Sequence, residues 1–218
     1  MPNDSETTKA NLRSSIYAVL ALAFSTPKDQ SQIEKLHAAI LEAKEDLGLV
    51  EVTDSKNVSQ LPTSSSNLSR EHLRLFVGPG RVKCPPYESA VRKDRPKPER
   101  GLVMGPSTAD VRKRYAAAGV AVSKNYKDLP DHVAAEMEFM HFLCFEESKF
   151  RSQGNQEQAE RYCGMERDFI QDHLAPWVTD FADCVLATTN SPFYKDAANL
   201  LKEFAKSEVG YISEGSTE

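Results

Sequence analysis

The sequence predicts an all-α fold, a single-domain helical bundle interrupted by one long irregular crossing rich in proline and glycine. Apolar residues recur every three or four positions over most of the chain, as on the buried face of a helix. No alternating strand pattern of useful length occurs, and Val120 to Val122 is the nearest to one. With 218 residues and 40% hydrophobic content, the chain can bury a core as one domain, residues 1–218, ordered from 10 to 207.

Two helices are predicted before residue 50. The first ends at Thr26, because the proline that follows disfavours a helical conformation in the residue before it. Thr26 and Pro27 then suit the cap and first turn of the second helix, and Gly48 suits its left-handed end. Residues 51–67 are rich in Thr, Ser and Asn and contain few large apolar side chains. Because such a segment cannot repay the entropy of being ordered, it is predicted to be a mobile loop.

A short helix, the irregular crossing and another helix are predicted in the middle of the chain, up to Gly119. Apolar residues around Ser69 have the spacing of a hydrophobic staple, which predicts a short helix ending at Gly78. Residues 78–105 contain too much proline and glycine for a regular element. Ser107 is the predicted cap of the next helix, which ends at Gly119.

Four more helical stretches are predicted in the second half. The first opens at Pro130-Asp131-His132, with Asp131 as its cap, and carries large apolar side chains on most faces. We therefore expect it to be the central rod of the bundle. Two stretches follow before a last helix that opens at Ser191-Pro192. Its polar end, residues 208–218, is predicted to fray.

Composition argues against nucleic acid and membranes as partners. The 27 Lys and Arg against 32 Asp and Glu give a formal charge of -5, which does not suit a surface that neutralises phosphates. No run of eighteen uncharged apolar residues occurs, so no stable membrane insertion is expected. The polar amino terminus lacks the pattern of an export signal, which predicts a cytoplasmic protein.

The cysteines show no metal or redox motif. There are four, Cys84, Cys144, Cys163 and Cys184, and no C-x-x-C pair occurs among them. They are predicted to be reduced and mostly buried thiols.

The alternative function is a helical metal-dependent enzyme of the di-iron kind. Glu34 with His37 and Glu138 with His141 form two E-x-x-H pairs on predicted helices, the arrangement that carboxylate-bridged bundles use. The two further glutamates that such a site needs have no clear source in the sequence. In the plainer interpretation, both histidines lie at helix edges and the glutamates face solvent. Phosphate-binding loops and the serine nucleophile elbow are absent from the sequence.

Two further stretches invite a functional interpretation. Pro85 and Pro86 fix an extended backbone, which presents the ring of Tyr87 at little entropic cost. In the plainer interpretation this turn only packs a loop onto the core. At the second stretch, a cap would explain Asp131 with about 0.5–2 kcal/mol. His132 gains less there, because the helix dipole disfavours its charged form.

Three stretches in succession resemble the TorD/DmsD family of redox-enzyme maturation chaperones. They are Leu75-Phe76-Val77-Gly78-Pro79, Pro85-Pro86-Tyr87-Glu88-Ser89, and Pro130-Asp131-His132 running into Glu136-Met137-Glu138-Phe139-Met140. The resemblance covers residues 10 to 207 in order and spacing. The family often has tryptophan where Tyr87 stands.

The resemblance implies a chaperone rather than an enzyme. Its expected partners are the twin-arginine leader peptide and the apo form of a molybdenum-cofactor oxidoreductase, which it holds until the cofactor is inserted. It implies no metal or resident cofactor, and guanine nucleotide binding stays open because no phosphate loop occurs. The residues expected to line the leader-binding region are Leu75, Phe76, Pro86, Tyr87, Glu88, Ser89, Asp131 and His132. Residues 84–89, which contain Pro85, Pro86 and Tyr87, are called the corner below. We expect this proline-stiffened corner and the Asp131-His132 helix entrance to meet in one cleft.

Overall fold

The computed structural model describes residues 4–27, 29–49, 65–97 and 100–214. The α-helices of these residues are α1 (Asp4–Phe24), α2 (Gln30–Asp46), α3 (Ser65–His72), α4 (Glu88–Val91), α5 (Pro106–Ala117), α6 (Val133–Ser152), α7 (Gln156–Phe169), α8 (Val178–Thr188) and α9 (Pro192–Glu214). Two π-helical turns, Leu73–Val77 and Ile170–Leu174, continue α3 and α7. The described residues form no β-strand, so the predicted all-α class is confirmed. None of the helices described is long and apolar enough to cross a bilayer.

Helix α6 is the central rod, as its sequence predicts. It packs along α1 on one side and α7 on another, while α8 pairs with α9. Its buried positions run from Val133 to Arg151 and include charged residues as well as apolar ones. The largest fully buried side chains around it include Trp177, Tyr17 and Tyr194. Truncating an aromatic side chain in such a core to alanine costs about 3–5 kcal/mol.

A buried ion network ties three of these helices together. Arg13 of α1 donates hydrogen bonds to Glu166 of α7 and to Glu208 of α9. Tyr17 donates a third hydrogen bond to Glu208, at 2.7 Å. Residue 208 begins the predicted frayed tail, but α9 instead continues to Glu214, because this carboxylate is anchored in the interior.

Three other helix starts differ from prediction. Helix α2 begins at Gln30 and is capped by Asp29, whose carboxylate accepts from the amide of Gln32, rather than by Thr26. The cap of α5 is Gly105, with Pro106 at the first turn, and Ser107 is buried inside the helix. Helix α3 begins at Ser65, so residues 65–67 of the predicted mobile loop are helical. Residues 51–64 of that loop lie outside the described residues. The described part of the crossing, residues 78–97 and 100–105, is irregular as expected, except for the short helix α4.

The prediction of four reduced cysteines is wrong for one pair. Cys84 and Cys184 form a disulfide, with their Cα atoms 5.8 Å apart. Cys144 and Cys163 are free and buried. The two bonded residues lie 100 positions apart, so no local spacing pattern reveals the pairing.

Candidate functional site

The proline-rich corner and the entrance of α6 lie directly against each other. Tyr87 and His132 form an isolated antiparallel β-bridge. The amide of Val133 donates to the carbonyl of Pro86 at 2.8 Å, and the amide of Glu88 donates to the carbonyl of Asp131 at 3.0 Å. The two motifs that the sequence singles out are therefore joined through their backbones, 45 positions apart along the chain.

Asp131 does not cap the helix that it precedes. Its buried carboxylate accepts a hydrogen bond from the amide of Ser89, at 3.0 Å. That amide belongs to the first turn of α4, whose own cap residue Tyr87 makes no side-chain capping bond. Asp131 thus supplies the acceptor that α4 lacks, so it anchors the corner rather than α6.

His132 is the residue that caps α6. Its Nδ1 accepts a hydrogen bond from the amide of Ala134 at 3.1 Å. Burial lowers the pKa of His132 to about 4, although the negative charges of Asp128 and Asp131 oppose that shift. A neutral ring can accept this hydrogen bond, whereas a charged one would face the positive end of the helix dipole. The structural role that was unclear from the sequence is therefore a cap.

Tyr87 is the most accessible of the eight predicted site residues. Its ring meets that of His132 edge to face, with centroids 5.3 Å apart. Its hydroxyl donates to Asp128 at 3.0 Å. Burial, followed by the charge of Asp128, raises the pKa of Tyr87 above its ordinary value. The tyrosine is therefore held as a neutral donor at the molecular surface.

The other seven predicted site residues are buried beneath the surface on which Tyr87 lies. Phe76 packs edge to face against Phe24 and Tyr194. The carbonyl of Leu75 accepts from the amide of Cys84 at 2.9 Å, which holds the start of the corner. Leu75, Phe76, Pro86, Glu88, Ser89, Asp131 and His132 are all buried. They position the surface rather than form it.

Glu88 anchors α4 through a buried network of charges. It accepts hydrogen bonds from His173 at 2.9 Å and from Arg92 at 2.6 Å. Burial alone would raise the pKa of Glu88. The hydrogen bonds and positive charges of His173 and Arg92 outweigh burial, so the pKa of Glu88 is lowered. Nearby Glu136 is fully buried, and burial followed by the charges of Glu88 and Asp131 raises its pKa. The surroundings of Glu88 thus favour its ionised form, whereas those of Glu136 favour its neutral form.

A cleft that sequence reasoning missed lies near Tyr87, which is close enough to act on the pKa of its lining residue Tyr126. It has a volume of about 320 Å³. It is lined by Tyr115, Val120, Ala121, Val122, Ser123, Tyr126, Ala135, Glu138, Phe139 and Phe142. Burial, followed by the charges of Asp128 and Glu138, raises the pKa of Tyr126. The cleft thus combines a mainly apolar lining with the carboxylate of Glu138, and Asp128 is close to its residue Tyr126. The apolar run Val120 to Val122 was its sequence signal.

A second apolar groove lies between α1 and α2, with a volume of about 520 Å³. It is lined mainly by aliphatic side chains, among them Leu22, which is 60% exposed. Lys35 is the charged residue in its lining, so it lacks the carboxylate of the cleft near Tyr87.

The two E-x-x-H pairs do not converge on one site. His37 pairs with Asp196 of α9 at 2.9 Å, whereas His141 bonds Ser14 of α1 at 2.8 Å. Glu34 and Glu138 are both exposed, as the plainer interpretation expects. Within the part of the chain that the structure describes, no three His, Cys, Asp or Glu side chains are placed to hold a metal ion.

The described residues thus form an all-α fold with an aromatic corner at the entrance of α6 and a mainly apolar cleft that contains Glu138. Residues 27–183 match the family described as the nitrate reductase delta subunit. The chain belongs to this family, and its resemblance to the TorD/DmsD chaperones is confirmed.

Individual relatives carry chaperone names. The chain is 27% identical to the chaperone protein TorD of Vibrio parahaemolyticus over 66% of its own length and 64% of that protein. It is 31% identical to the chlorate reductase assembly chaperone protein of Ideonella dechloratans, over 66% of this chain and 70% of that one. It therefore spans slightly less than two thirds of the TorD relative.

A solved structure shares the fold. A crystal structure described as that of a redox enzyme maturation protein from Archaeoglobus fulgidus superposes with a TM-score of 0.54 at 25% identity. The superposition covers 88% of this chain and 93% of the other.

Proposed function

We propose that this protein is a cytoplasmic chaperone that binds the twin-arginine leader of a molybdenum-cofactor oxidoreductase. It holds the apoenzyme until the cofactor is inserted and catalyses no reaction itself. The observation that carries the proposal is the contact between the Tyr87 corner and the His132 helix entrance near a mainly apolar cleft that contains Glu138. Relatives that are named assembly chaperones of chlorate and selenate reductases support it.

The chemistry of the cleft suits such a leader. A twin-arginine leader joins a basic head to an apolar stretch that can fold as a helix. Aromatic and aliphatic side chains such as Phe142 and Val122 complement the apolar stretch. Exposed Asp128, together with Glu138 in the cleft lining, complements the arginines. The formal charge of -5 steers a basic peptide towards the protein.

The predicted site residues divide into two roles in this proposal. Tyr87 contacts the leader together with the cleft. The buried set, Leu75, Phe76, Pro86, Glu88, Ser89, Asp131 and His132, positions Tyr87 through the corner and the helix entrance.

Titration of a fluorescent twin-arginine leader peptide against the purified protein tests the proposal. We expect saturable binding that weakens about tenfold or more in Tyr87→Ala and Phe142→Ala, because aromatic anchors dominate such interfaces. A twin-lysine peptide should bind less tightly, since lysine cannot form the bidentate bonds of arginine. Leu22→Ala, in the groove between α1 and α2, is the matched control and should bind normally. If Tyr87→Ala and Phe142→Ala bind the leader as tightly as wild type while Leu22→Ala binds it more weakly, the leader binds in the groove between α1 and α2 instead.

A further inference from the structure

The disulfide between Cys84 and Cys184 links the candidate site to the body of the bundle. Cys84 lies three residues before Tyr87, at the start of the corner, and Cys184 lies on α8. The far end of the corner is held by the bridge from Tyr87 to His132. The covalent bond therefore closes the one end of the corner that is otherwise held by the single backbone bond from Cys84 to Leu75 and by packing.

The two sulfur atoms differ in accessibility. Cys84 is fully buried, whereas Cys184 is only partly buried. A thiol in solution can therefore reach the sulfur of Cys184 first, with Cys84 as the leaving thiolate. The Oγ1 atom of Thr188 lies 3.6 Å from the Cys84 sulfur, where its hydroxyl can donate to that thiolate.

Each sulfur atom also has a polar neighbour in the oxidised protein. The Cys184 sulfur lies 3.4 Å from the carbonyl of Lys83, a contact in which a thiol hydrogen can be donated. The Cys84 sulfur stands at a similar distance from Thr188. Once the bond opens, a thiol at either position therefore has an oxygen close by with which it can form a weak hydrogen bond.

The remaining two cysteines are poor competitors for the same chemistry. Burial raises the pKa of Cys144 well above its ordinary value. Burial, followed by the charges of Glu147 and Glu166, raises the pKa of Cys163 to about 11. Because the thiolate is the reactive form, both should stay reduced while the pair reacts.

We propose that Cys84 and Cys184 form a reversible thiol–disulfide exchange site whose oxidation state sets how firmly the Tyr87 corner is held. The co-reactant is a small-molecule disulfide of the glutathione class. The Cys184 thiolate attacks one sulfur of that disulfide, which forms a mixed disulfide and releases one small thiol. The Cys84 thiolate then attacks the Cys184 sulfur, which closes the protein disulfide and releases the second small thiol. Two protein thiols are oxidised and one small disulfide is reduced to two thiols.

The effect on binding rests on the proposed function. Disulfides of cytoplasmic proteins are usually transient and redox-sensing rather than permanent. Closing the bond preorganises Tyr87 for a leader, and opening it allows the corner to move. The oxidised protein should therefore hold its leader more tightly than the reduced protein.

Equilibration of the wild-type protein in glutathione buffers tests the site without any peptide. Alkylation followed by peptide mass mapping should show two thiols appearing together, at Cys84 and Cys184, as the buffer becomes more reducing. Hydrogen exchange of residues 83–91 should be at least about fivefold faster in the reduced protein, because local opening governs exchange. Cys163→Ser is the matched control and should behave as wild type. Cys184→Ala should exchange at the reduced rate in every buffer.

Leader titration at the two ends of the same buffer series tests the effect on binding. We expect affinity about threefold or more weaker in the reduced protein, and no redox dependence in Cys184→Ala. Equal hydrogen exchange in both states, or equal affinity in both, would overturn the inference. If the leader binds neither form, the proposed function fails, while the thiol map and hydrogen exchange still decide whether the exchange site holds the corner. If Cys184→Ala does not fold, the wild-type protein in reducing buffer gives the same comparison.

Discussion

The carboxylate of Asp131 accepts a hydrogen bond from the amide of Ser89, 42 residues earlier in the chain. Through this bond the loop that leads into α6 completes the first turn of α4, and the two halves of the candidate site become one unit. Removing the carboxylate leaves a buried amide donor without its acceptor.

The first prediction concerns this bond. Asp131→Ala should lower the free energy of unfolding by about 1–3 kcal/mol, the cost of one buried unsatisfied donor. Asp131→Asn keeps an acceptor oxygen and should cost less. Urea unfolding measures both variants, and leader titration should show the larger loss in Asp131→Ala. Equal stability of the alanine variant and wild type would contradict the capping role.

The second prediction concerns the pH dependence contributed by His132. Its folded pKa is about 4, against about 6.5 in an unfolded chain. Between these values the unfolded chain binds a proton that the folded protein does not. The free energy of unfolding should therefore fall as pH is lowered from about 6.5 to about 4, by about 3 kcal/mol for this group.

His132→Asn isolates that contribution, because asparagine is a favoured cap that does not titrate. Chemical unfolding at a series of pH values should show a shallower slope in the variant between pH 4 and 6.5. Burial, followed by the charge of His132, lowers the pKa of His72 to about 4. His72 therefore contributes to the slope in both proteins, with a smaller shift of its pKa in the variant. Parallel curves for wild type and variant would show that His132 is not a buried neutral cap.

The third prediction concerns the acidic groups of the cleft. Asp128→Asn and Glu138→Gln should each weaken binding of a twin-arginine leader by about threefold to tenfold at low salt, mainly through slower association. The difference from wild type should shrink as ionic strength rises, because both side chains are exposed and screened. Stopped-flow association at two salt concentrations measures this. Glu34→Gln, an exposed acid on α2, is the control, and an equal loss in that variant would indicate general attraction rather than a cleft.

The fourth prediction concerns stability and the disulfide. The bond closes a loop with a sequence separation of 100 residues, so the chain-entropy argument predicts a contribution of about 2–5 kcal/mol. Thermal unfolding with and without reductant should show a lower Tm in the reduced wild type. Cys184→Ala should match the reduced wild type and be insensitive to reductant. A Tm unchanged by reduction would show that the bond contributes no net stability.

The fifth prediction concerns the buried ion network. Arg13→Leu should lower the free energy of unfolding by about 3–5 kcal/mol, because it leaves buried carboxylates without their cation. Lys206 forms an exposed ion pair with Glu203, outside this network. Lys206→Ala should therefore cause no measurable change. Urea unfolding of both variants makes the comparison. An Arg13→Leu protein as stable as wild type would show that the network is dispensable.

Local periodicity predicted the helices well, because each amphipathic face depends on residues a few positions apart. The central position of α6 followed from apolar side chains on most of its faces, and the structure confirms it. The error at residue 208 has a different origin. The Glu208 carboxylate is held by Arg13, a partner 195 positions away, and no local pattern reports such a contact.

In the candidate site too, local features could be predicted from the sequence, whereas features that depend on distant contacts could not. The sequence singled out Tyr87, Asp131 and His132 as candidates, and the structure brings them together, but the sequence assigned the cap to the wrong residue. A carboxylate before a helix normally caps that helix, and here tertiary packing directs it to α4 instead. The cleft and the Cys84–Cys184 bond depend on surfaces assembled from separate elements, which periodicity alone cannot place.

The partners that hold the corner have a consequence for synthesis on the ribosome. Residues 84–92 emerge early, yet they are fastened by Asp131, His173 and Cys184, which emerge much later. A nascent chain that ends before α8 therefore contains the aromatic motif without the disulfide that holds it. The corner can be fixed in its final position only when the last third of the polypeptide has left the exit tunnel and packed against it.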